Sequence, residues 1–291
     1  MWTISLPFAF LGAIFGLNLA AHRGKLPRPL AMLIHGLYAA VIEFLAFAAQ
    51  ILFRLLAPFM GIWKRAVSRI KRSFADNRPI LCAHGIFHDS SAFIFLLPFL
   101  HWRGFRQVAT INFWPPFARS LDEYAEMLEK KARQMVQKRI EEEGSCKEII
   151  FLGHSMGGLV ETRAALNLAS QKDFPSLIKV ITLGSPLKGS PAAYLAYPLG
   201  QHARDMVPGS KFLKKLEQDL AKPLPEQIEF LEIGSKMDPL VSINSSCLTR
   251  NSAFAKNSPH KRDAIQIKDL GHLSLLYSPK VAKAITDWLG C

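Results

Sequence analysis

At residues 153–158 the chain reads Gly153-His154-Ser155-Met156-Gly157-Gly158, and this stretch decides the fold. An apolar run precedes it, Glu148-Ile149-Ile150-Phe151-Leu152, and a helical pattern follows from Leu159 to Leu166. A strand, a sharp turn and a helix form the context in which Gly-x-Ser-x-Gly exposes a nucleophilic serine above a sheet. Glycine at the flanking positions removes side chains that would clash across such a turn. The alternative is a glycine-rich turn without chemistry, so partner groups decide between the two.

A serine hydroxyl is a weak nucleophile, so catalysis requires a base and an acid that orients this base. If the acid and then the histidine follow the serine, the acid is Asp238, just past a strand-like run at 228–234. The base is then His272, between a strand-like run at 263–267 and a helical pattern at about 279–289. Taken alone, Asp238 is equally consistent with an Asp-Pro turn, and His272 with a histidine of a surface loop.

Other acids and histidines fit this order less well. Asp205 lies in the long segment after the strand that follows the Ser155 turn, and Asp269 is only three residues from His272. No carboxylate occurs between Ile178 and Ala203, so the loop directly after that strand cannot supply the acid. The competing histidines end an earlier strand or lie in polar, turn-rich stretches, and they are His84, His202 and His260. The order therefore favours Asp238 and His272.

Two backbone amides are the predicted oxyanion hole. The first strand-like run of this region, at 79–83, ends in His84-Gly85-Ile86-Phe87. Backbone N–H groups aimed at a developing oxyanion supply several kcal/mol of transition-state stabilisation. We expect one donor from Met156, which follows the serine, and the other from Ile86, which follows His84-Gly85.

Together these motifs resemble the α/β-hydrolase superfamily and, within it, the bacterial-type lipases and lipase-like acyl hydrolases. The similarity spans about residues 78 to 290 and includes Leu183-Gly184-Ser185-Pro186-Leu187-Lys188-Gly189-Ser190, which is similar to the Gly-Thr-Pro-His-x-Gly-Ser segment of lipases. Ser185 stands for the usual Thr, and Leu187 for the usual His. The resemblance implies an α/β fold, with a mostly parallel central sheet and helices on both faces, and cleavage of an ester or thioester.

The first 77 residues differ in kind from the hydrolase region at 78–291. Trp2 to Ala21 carries no charged side chain and is long enough to span a bilayer. Leu30 to Phe53 is nearly as apolar, but Glu43 would be costly at mid-bilayer unless it is neutral, paired or facing protein. We expect an apolar helical membrane-anchoring region, either spanning or as a hairpin that packs on the hydrolase or lies in the interface.

Several features favour anchoring over a cleaved signal peptide. No Lys or Arg precedes Arg23, and a second apolar stretch follows. Residues 1–78 carry a net charge of +8, and residues 79–291 carry +5. If 63–74 is helical, one face is apolar and the opposite face is basic, with Trp63, Val67, Ile70 and Phe74 on the apolar face. Such a helix suits an anionic membrane surface, and the alternative is a solvated linker helix. The charge pattern favours a catalytic region on the cytoplasmic face.

The sequence gives no sign of a nucleic-acid, metal or cofactor partner. The sequence of the catalytic region contains no basic stripe with interleaved aromatic residues, so it does not indicate a nucleic-acid partner. No metal-ligand spacing or cofactor motif is found, and four separated cysteines indicate free thiols: Cys82, Cys146, Cys247 and Cys291. The proline-rich segment 191–225 is a possible cap insertion that would act as a mobile apolar cover or as a static surface excursion.

The sequence therefore predicts a membrane-associated serine hydrolase that cleaves carboxylic esters of lipids through Ser155, Asp238 and His272. Acyl transfer to an alcohol and cleavage of a thioester remain open within the same fold. A non-catalytic membrane scaffold that retains the serine turn is the alternative of a different class.

Overall fold

The computed structural model describes residues 5–55, 76–171, 174–175, 177–224, 227–250 and 259–290. Within these ranges the chain forms a six-stranded, fully parallel sheet with the strand order β2-β1-β3-β4-β5-β6. The strands are β1 Ile80–Ala83, β2 Val108–Ile111, β3 Glu148–His154, β4 Leu177–Leu183, β5 Gln227–Ser235 and β6 Lys261–Ile267. The predicted mostly parallel sheet is therefore confirmed.

Helices cover both faces of the sheet because the strands bury side chains on both sides. In β1, Leu81 and Ala83 belong to one apolar core, whereas Ile80 and Cys82 belong to the other. Such double burial is typical of parallel strands enclosed by crossover helices. The helices are α1 Ser5–His22, α2 Arg28–Leu55, α3 Leu96–Trp102, α4 Leu121–Glu143, α5 Met156–Ala169, α6 Ala193–Ala196, α7 Gln201–Asp205, α8 Lys211–Leu220, α9 Ile243–Ser246 and α10 Pro279–Leu289. Short 3₁₀ turns lie at Ser90–Phe93, Tyr197–Leu199, Leu248–Arg250 and Leu273–Tyr277.

Helix α4 illustrates how local sequence sets the element boundaries. Ser120 accepts a hydrogen bond from the Glu123 N–H while the Glu123 side chain returns to the Ser120 N–H, which forms a capping box. Gly144 ends the helix with a φ of 79°, a left-handed conformation that favours glycine. One face of α4 is buried against the sheet side that α5 also covers.

The helices α1 and α2 pack on the hydrolase region through polar side chains. The Asn18 amide donates to the Asp269 carboxylate at 2.7 Å, and His22 Nε2 lies 2.9 Å from the same oxygen. On α2, the Gln50 amide donates to Ser91 Oγ at 3.3 Å and its carbonyl accepts from the Tyr277 hydroxyl. These contacts tie both helices to loops at the carboxyl edge of the sheet.

The outward face of α2 remains apolar. Among the described residues, Arg28–Leu55 is the helix long and apolar enough to cross a membrane, and 22% of its most apolar window is buried. Core helices and signal sequences also reach this length and hydropathy, so length alone assigns no location. The segment 63–74, the proposed basic amphipathic helix, lies outside the described residues, as do Trp2 and Cys291.

Candidate active site

Ser155 lies on a strained turn between β3 and α5. Its φ of 54° and ψ of −122° fall outside the regions that non-glycine residues usually occupy. The Ser155 N–H donates to the Leu183 carbonyl at 2.9 Å, which fixes the turn to the neighbouring strand β4. A Cβ atom at Gly157 would lie 2.0 Å from the Ala83 carbonyl oxygen, so no larger residue fits there without a backbone shift. The two flanking glycines thus allow a conformation that the surrounding backbone enforces.

His272 and Asp238 form a buried pair. The His272 Nδ1 atom lies 2.7 Å from Asp238 Oδ2, and the two side chains are 4% and 0% exposed. The other carboxylate oxygen, Oδ1, accepts the backbone N–H groups of Leu240 and Val241, each at 2.8 Å. The carboxylate is therefore held in one orientation, and a single oxygen faces the imidazole.

Two contacts bring this pair to the Ser155 turn. A Cβ atom at Gly184, directly after β4, would lie 3.2 Å from both Asp238 Oδ2 and His272 Nδ1. The residue before it, Leu183, is the one that accepts the Ser155 N–H. The ring centroids of His154 and His272 are 4.8 Å apart. The three predicted residues thus lie at the same carboxyl edge of the sheet, where parallel sheets bind ligands.

His154 supports His272 from the adjacent position. Its Nε2 atom lies 3.1 Å from the His272 carbonyl oxygen, so Nε2 carries the proton and donates to it. Burial, together with the neighbouring His272 and His88, holds the pKa of His154 well below its usual range. His154 is therefore neutral and acts as a hydrogen-bond donor to the backbone of the His272 loop.

The loop after β1 passes beside Ser155. A Cβ atom at Gly85 would lie 3.0 Å from the Ser155 Cβ, so the backbone just before Ile86 contacts the serine turn. Met156 begins α5 directly after the serine. His84 holds this loop, since its Nδ1 donates to the Gly85 carbonyl at 2.8 Å, and burial lowers the pKa of His84. Met156 and the backbone just before Ile86 thus both adjoin Ser155, and the role of their amides stays a prediction.

The competing residues lie elsewhere. The Asp205 carboxylate accepts the Leu121 N–H at 3.0 Å, and Asp269 accepts the Lys280 ammonium at 2.9 Å. His202 packs against the Phe117 ring, and His260 against Phe230. Within the described ranges no group of three His, Cys, Asp or Glu side chains could hold a metal ion, and three of the four cysteines are free thiols: Cys82, Cys146 and Cys247.

Two glutamates near the site were not predicted as site residues from the sequence. Glu161 is fully buried beneath the serine turn, where a Cβ at Gly153 would lie 2.4 Å from its Oε2. Desolvation raises the pKa of Glu161 well above its usual range. Its sequence signal was a lone acid on an otherwise apolar face of α5. Glu43 is the second, and its signal was a carboxylate within an apolar stretch.

The fold and the site define the class as an alpha/beta hydrolase. The chain belongs to a family described as alpha/beta hydrolases of unknown function (DUF915), whose match covers residues 121–290, more than half of the sequence. No curated protein matches it.

Three solved structures that share this fold are from Listeria innocua and Bacillus licheniformis. The product of the gene lin2722 from Listeria innocua is 19% identical, with a TM-score of 0.53 over 74% of this chain and 94% of that chain. The mature lipase BlEst2 from Bacillus licheniformis is 19% identical, with a TM-score of 0.53 over 75% of this chain and 95% of that chain. Its propeptide form gives 18% identity and a TM-score of 0.57 over 75% of this chain and 52% of that chain. At such identities the likeness concerns the fold.

Proposed function

We propose that this protein is a membrane-associated serine hydrolase that cleaves carboxylic esters of lipids. The observation that carries the proposal is the buried His272–Asp238 pair, with 2.7 Å between Nδ1 and Oδ2, beside the strained Ser155 turn. A nucleophile, a base and an orienting acid in this arrangement are the parts required for acyl transfer through a covalent intermediate.

In the proposed mechanism, Ser155 Oγ attacks the carbonyl carbon of the ester while His272 Nε2 takes the hydroxyl proton. Asp238 accepts the Nδ1–H bond, which fixes the tautomer and stabilises the imidazolium. The Ile86 and Met156 N–H groups donate to the oxyanion of the tetrahedral intermediate. Collapse breaks the ester C–O bond, and His272 returns the proton to the leaving alcohol. Water, deprotonated by His272, then cleaves the acyl-enzyme and restores the Ser155 hydroxyl.

Exposed apolar side chains near the site support an acyl substrate. Phe87 follows the oxyanion loop, is 52% exposed, and its ring lies 5.5 Å from that of Phe117. Leu240, two residues after Asp238, is also exposed. Its carbonyl accepts a hydrogen bond from the Ser190 hydroxyl, and the segment that follows Ser190 carries the exposed Tyr194 and Leu195. An apolar rim of this kind favours a hydrocarbon chain over a polar substrate. The fold shared with the lipase BlEst2 is consistent with this substrate class.

The outer face of α2 supports membrane association. Several of its exposed large apolar side chains fall within about 40° of one another, on a face about 120° from Gln50 at 3.6 residues per turn. They are Leu33, Leu37, Phe44, Ile51 and Leu55. The connection between α1 and α2 carries Arg23 and Lys25, and α2 begins at Arg28; these basic side chains suit anionic headgroups. Because the inner face of α2 contacts the hydrolase region, the proposal is a hairpin that lies in the membrane interface at the cytoplasmic face.

Fluorophosphonate labelling with an ester assay tests the proposed chemistry. Wild-type protein should become labelled and hydrolyse p-nitrophenyl butyrate, and Ser155→Ala should lose both activities while its circular dichroism stays unchanged. Ser170→Ala is the matched control, because Ser170 caps the opposite end of the same helix and is exposed. Near-wild-type turnover by folded Ser155→Ala would contradict the mechanism.

A further inference from the structure

The apolar helix α2 reaches the loop that carries His272. The Glu43 carboxylate accepts two backbone N–H groups, that of Leu273 at 2.7 Å and that of Ser274 at 2.9 Å. These are the first two residues of the 3₁₀ turn Leu273–Tyr277, directly after His272. Since the first amides of a helical turn have no partner within it, the carboxylate supplies the acceptors that they need.

The approach of Glu43 to this loop is close enough to dictate a glycine. A Cβ atom at Gly271 would lie 2.4 Å from Glu43 Oε2 and 2.9 Å from the Glu43 Cβ. The Gly271 N–H itself donates to the Ser274 hydroxyl at 2.8 Å. The residues on both sides of His272 are therefore fixed by contacts in which Glu43 takes part.

The same helix also contacts the loop beside the oxyanion hole. The Arg54 guanidinium donates to the Phe87 carbonyl at 2.8 Å and lies 3.9 Å from the Asp89 carboxylate. Along α2 the polar side chains His35, Glu43 and Gln50 fall within about 80° of one another at 3.6 residues per turn. The inner face of α2 is thus a polar stripe that meets two of the loops around Ser155.

We propose that Glu43 is a positioning residue for the hydrolase reaction, and that α2 is part of the active-site framework as well as a membrane-facing helix. The inference rests on the proposed function. The carboxylate does not touch substrate in this proposal; it holds the backbone around His272, so the imidazole remains aligned between Asp238 and Ser155. A base displaced by about 1 Å can lose on the order of 100-fold in rate.

The test compares kcat per active site in full-length protein solubilised in detergent micelles. Active sites are counted by fluorophosphonate titration, and p-nitrophenyl butyrate is the substrate. Glu43→Ala should lower kcat per titrated site by about 10- to 100-fold with little change in KM. Glu43→Gln keeps the size and one acceptor oxygen, so it should restore part of the rate. Glu126→Ala, an exposed glutamate on α4, is the matched control and should behave as wild type.

A purely structural role for Glu43 would reduce the number of titratable sites but leave kcat per site unchanged, and that result would overturn the proposal. Gly271→Ala provides a second test if Glu43→Ala does not fold. Its methyl group displaces the Glu43 carboxylate, while Glu43 itself remains in the chain. It should lower kcat per site similarly, and adding Glu43→Gln to it should cost little more. Wild-type kcat per site in Gly271→Ala would also overturn the proposal.

The proposed function fails separately. If wild-type protein is not labelled, or if Ser155→Ala retains turnover, the serine mechanism is wrong whatever Glu43 does. If wild-type protein is labelled, Ser155→Ala is inactive and Glu43→Ala turns over normally, only the positioning role is wrong.

Discussion

Replacing Asp238 with asparagine should reduce kcat by about 10⁴-fold without unfolding the protein. The Asp238 Oδ1 atom accepts the Leu240 and Val241 N–H groups, each at 2.8 Å. Asparagine must keep its carbonyl oxygen at that position, so its NH₂ group faces His272 Nδ1, 2.7 Å from the present Oδ2. A donor then opposes the Nδ1–H donor, and the imidazole is driven to the tautomer that cannot take a proton at Nε2. A factor of 10⁴ corresponds to about 5.5 kcal/mol in the barrier.

The assay is p-nitrophenyl butyrate turnover per titrated site, together with a thermal melt. Asp205→Asn is the matched control, because that carboxylate accepts the Leu121 N–H and lies outside the His272 contacts. Asp269→Asn should lower the melting temperature through lost contacts to Asn18 and Lys280 while nearly preserving kcat per site. A kcat of Asp238→Asn within tenfold of wild type, or a crippling effect of Asp205→Asn, would refute the assignment of the acid.

Three further predictions concern the turn, the buried histidines and the hairpin. Gly157→Ala should abolish labelling and destabilise the fold by on the order of 1–3 kcal/mol, because the new Cβ would lie 2.0 Å from the Ala83 carbonyl oxygen. Gly16→Ala is the control in a melting experiment, because a Cβ at Gly16 would have no heavy atom within 4 Å. The folding stability should decrease as the pH falls from about 6.5 towards 3, because burial lowers the pKa of His88 to about 3 and the unfolded chain binds that proton first. His88→Gln should flatten this dependence in urea titrations at pH 7.5 and 5, and a flat wild-type profile would count against it. A protein without residues 1–62 should still bind anionic vesicles weakly, because each basic side chain in 63–74 contributes about 1 kcal/mol of binding free energy. High salt should release this truncated protein from the vesicles but should not release the full-length protein. The same truncation should lose activity on a soluble ester; survival of that activity would mean that residues 1–62 serve only as an anchor.

The strands and the last helix could be predicted from the sequence because each has a local signal. The apolar run at 228–234 corresponds to the strand Gln227–Ser235, and the helical pattern at about 279–289 corresponds to Pro279–Leu289. Chain order after Ser155 was enough to select Asp238 and His272 as partners, and their side chains lie within hydrogen-bonding distance. The catalytic roles of these residues remain predictions.

The contacts of Glu43 and Glu161 could not be predicted in the same way. The sequence showed that a carboxylate in an apolar helix needs a partner, but the amides that satisfy Glu43 lie 230 and 231 residues further along the chain. Backbone amides carry no sequence signal, so their availability depends on the folded loop. Glu161 is similar, since its burial follows from the packing of α5 against the sheet beneath Gly153.

The long sequence separation of these contacts also has a consequence for biosynthesis. A ribosome makes α1 and α2 well before the segment that supplies the Asp269 carboxylate for Asn18, the Leu273 and Ser274 amides for Glu43 and the Tyr277 hydroxyl for Gln50. These hydrogen bonds form only after that segment has been made. With the proposed membrane association, Glu43 would oppose deep insertion into hydrocarbon during that interval, and the nascent hairpin would stay at the lipid surface until the His272 loop is made. A product truncated before residue 269 would therefore retain an apolar hairpin whose Glu43 carboxylate lacks the Leu273 and Ser274 amides.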